Sequence, residues 1–381
     1  MITSLRLSNF RAFESLTIEG LEQVNLLVGR NNCGKTTVLE AVALLATEGS
    51  LAVLLDIVAR RGELIAPPKD FFARREYSKY GISSWLRSYR EDEYDVSHLF
   101  RGHRLKLGTF FEIEGSNDEA AKIRCEVADE FASSNSIQSD MLKGDIDLGF
   151  HPSISLKKST DETPIRIPLS SSKGISQETL RELDIRERAE RKPVHFIPTG
   201  GLDSSDMGIL WNQVALRPEQ QRVVEALSII DPDIEQIAFV PAESFRGGST
   251  TGMCVKLKSM DDRLPLGCMG GGIERLLALS LSVIRSAKGC VLIDEIDTGL
   301  HFSVMSKMWE IIIRMAKRLD AQVFATTHSL DCVRGLAELQ QALPDLCEGV
   351  RLHRIEKDFE KAITYSAAEI LIAEEHHMEV R

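Results

Sequence analysis

The sequence predicts an α/β fold with a mixed central sheet, an N-terminal antiparallel β-lobe and an inserted α/β lobe. Residues 2–9 and 16–19 alternate apolar and polar side chains around a turn, as an antiparallel strand pair does. A buried strand at 24–28 runs into a glycine-rich loop and a helical pattern, and apolar strands alternate with helices again in the final third. Such alternation forms parallel sheets. We therefore place the sheet-forming domain at 1–50 and 235–381 and the inserted lobe at 51–234.

The glycine-rich loop at 29–37 reads G-x-x-x-x-G-K-[ST] and joins the strand to the helix. Its glycines let the backbone wrap an anion with consecutive N–H groups pointing inward. In this motif the lysine reaches the β- and γ-phosphates and the following hydroxyl holds Mg²⁺. An accidental glycine-rich turn is the alternative, but the flanking strand and helix favour nucleotide binding. The nucleotide-binding residues predicted in the loop are Gly29, Asn31, Asn32, Cys33, Gly34, Lys35, Thr36 and Thr37.

Composition narrows the function classes. The chain has 381 residues, 43% of them hydrophobic, which is ordinary for a globular protein. Its formal net charge of −11 argues against a uniformly basic surface, so nucleic acid is a possible partner that the charge does not indicate. Seven cysteines without C-x-x-C or metal-ligand spacing fit a reducing compartment. Without a signal peptide or an apolar run of ~18 residues, we expect a cytoplasmic protein with no membrane partner.

The middle of the chain has a less regular pattern. It predicts a helix around 51–60, a break at Pro67-Pro68, a helix near 83–90, and β-hairpins at 109–114 with 122–127 and at 153–158 with 165–169. The stretch at 181–192 is dense in Glu and Arg. It is either a solvent-exposed helix stabilised by i,i+4 ion pairs or an arm that binds a partner.

Two carboxylates follow an apolar strand in the final third. The strand at 289–293 ends in Asp294 and Glu295, which places both at the carboxyl edge of a parallel sheet, where ligands of open α/β folds bind. Asp294 is suited to hold Mg²⁺, directly or through water. Glu295 is suited to orient and deprotonate the water that attacks the γ-phosphorus. An Asp-Glu pair is also common in structural turns, but the phosphate loop disfavours that alternative.

A histidine and a glycine run complete the candidate site. His328 stands at the tip of the next predicted strand, where a side chain can sense the γ-phosphate, although a lone histidine is often structural. Gly270, Gly271 and Gly272 precede a helix, so their N–H groups and the positive helix end offer a second anion site. A flexible turn is the alternative for this run.

In their order along the chain these motifs resemble the ABC-type ATPase heads of the RecF, SMC and OLD group. They comprise the phosphate loop, the glycine run before a helix, IDEIDTGLH at 293–301 and ATTHS at 325–329. The opening LSNFRAF at 7–13 matches the N-F-R-x-F turn of that group, which implies that Arg11 approaches the nucleotide. The resemblance covers the first ~50 residues and 235–381, and the middle is the part that varies in such proteins.

The resemblance implies a nucleotide sandwich between two heads. ATP and Mg²⁺ on the loop of one copy would meet the glycine run of the other, and hydrolysis would open the pair. Lys35, Glu295 and His328 would be catalytic, Thr36 and Asp294 would hold the metal, and 298–301 would form the D-loop. Gly270 stands where related heads carry a serine, so one hydroxyl contact to the opposing γ-phosphate is missing. The Q-loop glutamine has no assignment.

Among such heads, the chain looks most like the ATPase subunits of bacterial phage-defence systems such as PARIS, which pair with a separate nuclease or toxin. OLD nucleases carry a TOPRIM domain after the head, whereas this chain ends at Arg381, so we expect a stand-alone ATPase. A RecF-like ATPase that binds duplex DNA is the alternative. A non-hydrolysing ATP-binding scaffold remains conceivable because of Gly270, while a transporter subunit fits the N-F-R opening poorly.

Overall fold

The computed structural model describes residues 1–65, 93–116, 120–129, 152–159, 161–176, 179–180, 193–240 and 252–380. The chain forms two compact units. We call 1–4, 18–39 and 192–381 the head unit, and 5–17 and 40–191 the lobe unit. The predicted break at Pro67-Pro68, the helix at 83–90 and the charged stretch at 181–192 lie outside the described residues.

Within the described residues, both units contain β-structure, and most of the long helices belong to the head unit. The strands in the described ranges are β1 (Ser4–Phe10), β2 (Phe13–Glu19), β3 (Val24–Val28), β4 (Leu64–Ile65), β5 (Glu93–Tyr94), β6 (Phe110–Ser116), β7 (Ala120–Asp129), β8 (Pro152–Lys158), β9 (Ile165–Pro168), β10 (Val194–Ile197), β11 (Ile234–Val240), β12 (Gly252–Leu257), β13 (Arg263–Pro265), β14 (Cys290–Ile293), β15 (Gln322–Thr326), β16 (Val350–Arg354) and β17 (Ile363–Ser366). The helices in the same ranges are α1 (Lys35–Ala46), α2 (Leu51–Arg60), α3 (Ser204–Val214), α4 (Pro218–Ser228), α5 (Gly271–Arg285), α6 (Met305–Leu319), α7 (Leu330–Ala342) and α8 (Ala367–Glu375). None of these helices is long and apolar enough to cross a membrane.

The central sheet of the head unit has the strand order β10-β14-β15-β3-β16-β17. The first five strands are parallel and β17 is antiparallel to β16, which confirms the predicted mixed sheet. Every residue of β3, β14 and β15 is buried, as expected of strands covered on both faces. Because these three strands are parallel, the loops that follow them meet at one edge of the sheet.

The helices that follow the strands pack into one apolar core. Trp309 of α6 is fully buried, and its indole N–H donates to the carbonyl of Cys332 on α7 at 2.9 Å. At Gly335 of α7 a Cβ would lie 2.5 Å from the Cβ of Met305, so the two helices approach too closely for any larger residue. Helix α6 begins at Met305, after a single 3₁₀ turn over 302–304.

The two compact units differ from the predicted division at 1–50, 51–234 and 235–381. Strand β10 pairs in parallel with β14, so 194–197 completes the head sheet and is not part of the insert. Trp211 of α3 and Leu227 of α4 share the apolar core of the head with Leu277. The strand pair β1–β2 belongs largely to the lobe unit, because β1 is the neighbour of β6. The second part of the head unit therefore begins about forty residues before the predicted boundary at 235.

Helix α3 has no clear signal in the sequence. Its segment contains Gly208 in the middle, and glycine destabilises helix interiors. The structure explains the residue, since a Cβ at Gly208 would lie 2.4 Å from a ring carbon of Phe239 on β11. Close packing of the helix against the small antiparallel sheet β11-β12-β13 therefore requires glycine here.

The lobe unit is built on a second sheet, in the order β2-β1-β6-β7-β8-β9. Both predicted hairpins are present as β6–β7 and β8–β9, and β7 also pairs with β8, so they form one continuous antiparallel array. Phe111 packs against Phe10 and Phe100 with ring centroids 5.1 and 5.2 Å apart. The predicted helix at 51–60 is α2, and β4 pairs with β5 in a short two-stranded sheet.

A buried polar pair joins β3 and β16 inside the head sheet. His353 is fully buried, and its Nε2 lies 3.2 Å from Oδ1 of Asn25, while its Nδ1 lies 3.0 Å from the hydroxyl of Thr364 on β17. Burial, together with the smaller effect of the nearby Arg351 charge, lowers the pKa of His353 to about 3. The imidazole is therefore neutral in the folded protein at neutral pH.

This depressed pKa makes the folded state sensitive to acid. Between the ordinary histidine pKa of 6.5 and the folded value of about 3, the unfolded chain binds a proton that the folded chain refuses, so stability falls as the pH falls. Because of His353, we expect the free energy of unfolding to fall by about 2 kcal/mol between pH 7 and pH 5. Urea unfolding at the two pH values should show a smaller difference for His353→Gln. The exposed His376→Gln is the control, and an equal difference in all three proteins would contradict this account.

Candidate functional site

The loop after β3 has the backbone of a phosphate-binding loop. Gly29 has φ 144°, and a Cβ there would lie 2.3 Å from the carbonyl oxygen of Ile355, while Gly34 has φ 100°. Both positions therefore require glycine. The ammonium of Lys35, the first residue of α1, donates to the carbonyls of Gly29 and Arg30 at 2.8 and 2.9 Å. The lysine thus lies across the loop, between its first turn and the start of the helix.

The predicted metal ligands lie side by side. The hydroxyl of Thr36 on α1 donates to the carboxylate of Asp294, which follows β14, with oxygen–oxygen distances of 3.1 and 3.2 Å. Thr326 at the end of β15 donates to the same carboxylate at 2.7 Å and fixes its orientation. One hydroxyl and one carboxylate fit Mg²⁺, which usually keeps several waters and completes its shell with substrate phosphates. In the described part of the chain no group of three His, Cys, Asp or Glu residues forms a denser metal site.

Glu295 and His328 face each other across the same edge. Oε1 of Glu295 lies 3.4 Å from Nδ1 of His328, and the hydroxyl of Thr298 lies 3.4 Å from its other carboxylate oxygen. The Glu295 backbone is left-handed, with φ 48°, and its N–H donates to the hydroxyl of Thr326 at 2.8 Å. Because Thr326 also binds Asp294, one side chain sets the positions of both acidic residues.

The glycine run lies at the beginning of α5. Gly270 is the N-cap of this helix, with φ 89°, and Gly271 is its first residue. A Cβ at Gly272 would lie 3.7 Å from Cδ2 of Leu300, so the helix start packs against the predicted D-loop at 298–301. The glycine run and the predicted D-loop therefore form one local surface.

A cavity of about 470 Å³ lies beside the phosphate loop. The loop and His328 line it together, which brings the histidine predicted to sense the γ-phosphate next to the phosphate loop. Arg354 at the end of β16 and Glu379 near the C-terminus were not foreseen from the sequence. The lining residues are Gly29, Arg30, Asn31, His328, Arg354 and Glu379.

A buried arginine that the motifs do not include supports the acidic residues. Arg275 of α5 is only 7% exposed, and its guanidinium donates to the carbonyls of Asp294 and Glu295 at 3.2 and 2.9 Å and to that of Pro198 at 3.4 Å. Burial lowers the pKa of Arg275, while the neighbouring carboxylates, Asp297 foremost, raise it. One signal was visible in the sequence: a charged residue interrupts the apolar face of a strongly hydrophobic helix.

Arg11 lies in the lobe unit, where it is buried among carboxylates. Its Nε lies 2.7 Å from Glu40, and its terminal nitrogens lie 2.6 and 3.1 Å from the two carboxylate oxygens of Glu63. Arg61 also binds Glu40, at 2.6 Å. Burial raises the pKa of Glu40, and the charge of Arg11 opposes that shift. The guanidinium of Arg11 thus pairs with two acidic side chains and also donates to the carbonyl of His98 at 3.4 Å, and its contact with a nucleotide stays a prediction.

Comparison with known proteins identifies the family. The profile of the family described as "AAA domain, putative AbiEii toxin, Type IV TA system" matches residues 24–331, which is more than half of the chain. The chain belongs to this AAA-domain family. The match begins at β3, directly before the phosphate loop, and ends in α7, just after His328, so it contains the phosphate loop, the glycine run, Asp294, Glu295 and His328.

Individual relatives of this AAA-domain protein agree with that assignment. An ATP/GTP phosphatase of Helicobacter pylori is 23% identical over 352 residues, covering 89% of this chain and 88% of the relative. The DNA replication and repair protein RecF of Lachnoclostridium phytofermentans is 50% identical, but only over 50 residues, 13% of this chain and 14% of RecF.

The fold is that of an ABC-type P-loop ATPase head. The crystal structure of an SMC head bound to the C-terminal winged-helix domain of ScpA superposes with a TM-score of 0.50 at 14% identity, covering 96% of this chain and 98% of that one. Together with the family match, this gives the AAA-domain protein the fold of an SMC-type head built around a phosphate-binding loop.

Proposed function

We propose that this ATPase hydrolyses ATP at the edge formed by β3, β14 and β15, with Glu295 as the base and Lys35 on the phosphates. The observation that carries the proposal is the pair of contacts Thr36–Asp294 and Glu295–His328, which set a metal-binding pair and a base–histidine pair beside one phosphate loop. Mg²⁺ held by Thr36 and Asp294 would neutralise charge that develops on the β- and γ-phosphates.

Each residue of this site then has a distinct role in hydrolysis. Glu295 orients the attacking water and accepts its proton, as a carboxylate within hydrogen-bond reach can do. His328, beside Glu295 and half exposed in the cavity, donates to the γ-phosphate and responds to its loss. Consecutive loop N–H groups, together with Lys35, bind the remaining phosphate oxygens. The name of the Helicobacter pylori relative includes GTP, so the preference for an adenine or a guanine nucleotide is a separate question.

The site is completed by a second copy of the chain. Gly270 and Gly271 open α5 at an exposed position, where the N–H groups of the first helical turn and the positive helix end attract an anion. A γ-phosphate bound in the loop of another copy is an anion of the required kind. Backbone N–H groups replace the serine hydroxyl of related heads here. ATP-driven dimerisation therefore depends on the binding of the γ-phosphate by the N–H groups at the beginning of α5.

We further propose that the ATP-bound pair controls a separate effector protein, a nuclease or toxin, in defence against phages. The family description, which names a toxin and a type IV TA system, supports a link to such modules. The resemblance of the motif set to the ATPase subunits of phage-defence systems points the same way. In this view hydrolysis releases or arms the effector, and the ATPase acts as the switch.

Phage plating tests this proposal. Cells that carry the gene with its native neighbours should lower the plating efficiency of at least one phage, and Lys35→Ala should abolish the protection. The exposed Lys307→Ala is the matched control. Affinity purification of the ATPase should recover a neighbour-encoded protein in amounts that depend on ATP. Failure to recover any partner, with no protection against a broad phage panel, would contradict the effector role.

The local match to RecF favours one alternative function, in which the ATPase binds duplex DNA itself. DNA binding of that kind weakens steeply with salt, because phosphate contacts release counterions. The net charge of −11 argues against a large DNA-binding face. Fluorescence anisotropy with a labelled duplex at two salt concentrations, with and without ATP, decides between the two functions.

A further inference from the structure

Arg275 occupies an unusual position for an arginine. It lies in the second turn of α5, five residues after Gly270, and its guanidinium is directed at the backbone that carries the acidic pair. One terminal nitrogen contacts the carbonyls of Asp294 and Glu295, and the other contacts the carbonyl of Pro198 after β10. A buried guanidinium has a large desolvation cost, which these carbonyls and the three nearby carboxylates offset.

The peptide that Arg275 holds is strained. Glu295 has a left-handed backbone with φ 48°, a conformation that side chains other than glycine seldom adopt. Such a residue persists only where its surroundings fix it on several sides. Here Thr326 accepts the N–H of Glu295 at 2.8 Å, and Arg275 donates to its carbonyl at 2.9 Å. The left-handed backbone sets the direction in which the Glu295 side chain extends.

We propose that Arg275 is a positioning residue that holds the left-handed peptide of Glu295 and thereby directs its carboxylate towards His328. The proposal rests on the role of Glu295 as the base. It also gives the glycine run a route to that base, because α5 carries both Gly270 and Arg275. A nucleotide of a second copy that binds at the helix start acts on the same rigid helix that fixes the catalytic glutamate.

The shape of the guanidinium explains why lysine is a poor substitute. A planar fork reaches three carbonyls at once, whereas an ammonium on a flexible stem acts as a point charge. Arg275→Lys keeps the positive charge beside Asp294, Glu295 and Asp297 but loses that fork. A displacement of Glu295 by about 1 Å is sufficient to cost about 100-fold in rate. The substitution should therefore affect turnover far more than the binding of ATP.

Steady-state kinetics test the first part. We expect Arg275→Lys to lower kcat for ATP by about 10- to 100-fold, with KM changed by less than about threefold, since the phosphate loop itself is untouched. Arg285→Lys, an exposed arginine at the other end of α5, is the control and should change neither value. Thermal melting of each variant identifies loss of folded protein, and Arg275→Gln replaces Arg275→Lys if the lysine variant does not fold.

A double-mutant cycle with Glu295→Gln separates positioning from general structural support. If Arg275 acts through Glu295, then Arg275→Lys should lower the residual kcat of Glu295→Gln by less than about twofold, because there is no base left to position. Multiplication of the two effects would overturn the inference while leaving the proposed function intact, and so would an unchanged kcat for Arg275→Lys. Full turnover in Glu295→Gln itself would overturn the proposed function, and the inference with it.

Discussion

Glu295→Gln is expected to lower the rate of ATP hydrolysis by about 100- to 10,000-fold, the range that general base catalysis contributes. Glutamine has the shape of glutamate, so the left-handed backbone and the contact with Thr326 can persist, but the amide does not accept a proton from water. ATP affinity should remain within about threefold, because the phosphate loop is unchanged. Phosphate release under saturating ATP and Mg²⁺ measures the turnover.

The exposed Glu348→Gln serves as the matched control, since it removes one carboxylate from the head unit without touching the site. It should retain wild-type turnover. Turnover in Glu295→Gln equal to that of this control would exclude Glu295 as the base and would leave Asp294 as the nearest carboxylate to consider.

Lys35→Ala is expected to weaken ATP binding by about 10- to 100-fold. The estimate follows from about 1.5–3 kcal/mol for a hydrogen bond to a charged group and tenfold for each 1.4 kcal/mol. In the structure the ammonium bridges the carbonyls of Gly29 and Arg30, so removing it also loosens the loop that receives the phosphates. Isothermal titration with ATP reports the affinity directly.

Lys307→Ala, an exposed lysine on α6, removes the same charge elsewhere in the head unit. Its ATP affinity should match that of the wild type, which separates the local contact of Lys35 from a change in net charge. An affinity of Lys35→Ala within twofold of this control would contradict the assignment of the loop as the phosphate site.

The parts of the site that were predictable from the sequence are the ones with local causes. The phosphate loop is a continuous segment whose glycines are dictated by its own backbone, and the apolar run before Asp294 reports that both faces of β14 are covered. The alternation of strands and helices in the final third then brings 294–295 and 328 to one edge, because parallel strands share their carboxyl ends. Such features require no knowledge of distant contacts.

The remaining features depend on residues far apart in the chain. Strand β10 has only four residues, and only its pairing with β14, some ninety residues later, assigns it to the head. Arg275 has a task only because α5 packs under the turn at 294–295. Arg11 matches a family motif, yet its contacts with Glu40 and Glu63 follow from the fold of the lobe unit. Sequence patterns do not predict these contacts between residues that are far apart in the chain.

We propose that ATP at the phosphate loop joins two copies of this chain until Glu295 drives hydrolysis. Light scattering coupled to size-exclusion chromatography, applied to Glu295→Gln with and without ATP and Mg²⁺, tests it most directly. We expect the mass of one 42.5 kDa chain without nucleotide and a doubled or larger multiple with ATP, with Lys35→Ala in the same background remaining a single chain. A mass that ATP does not change, in a variant that titration shows to bind ATP, would contradict the account.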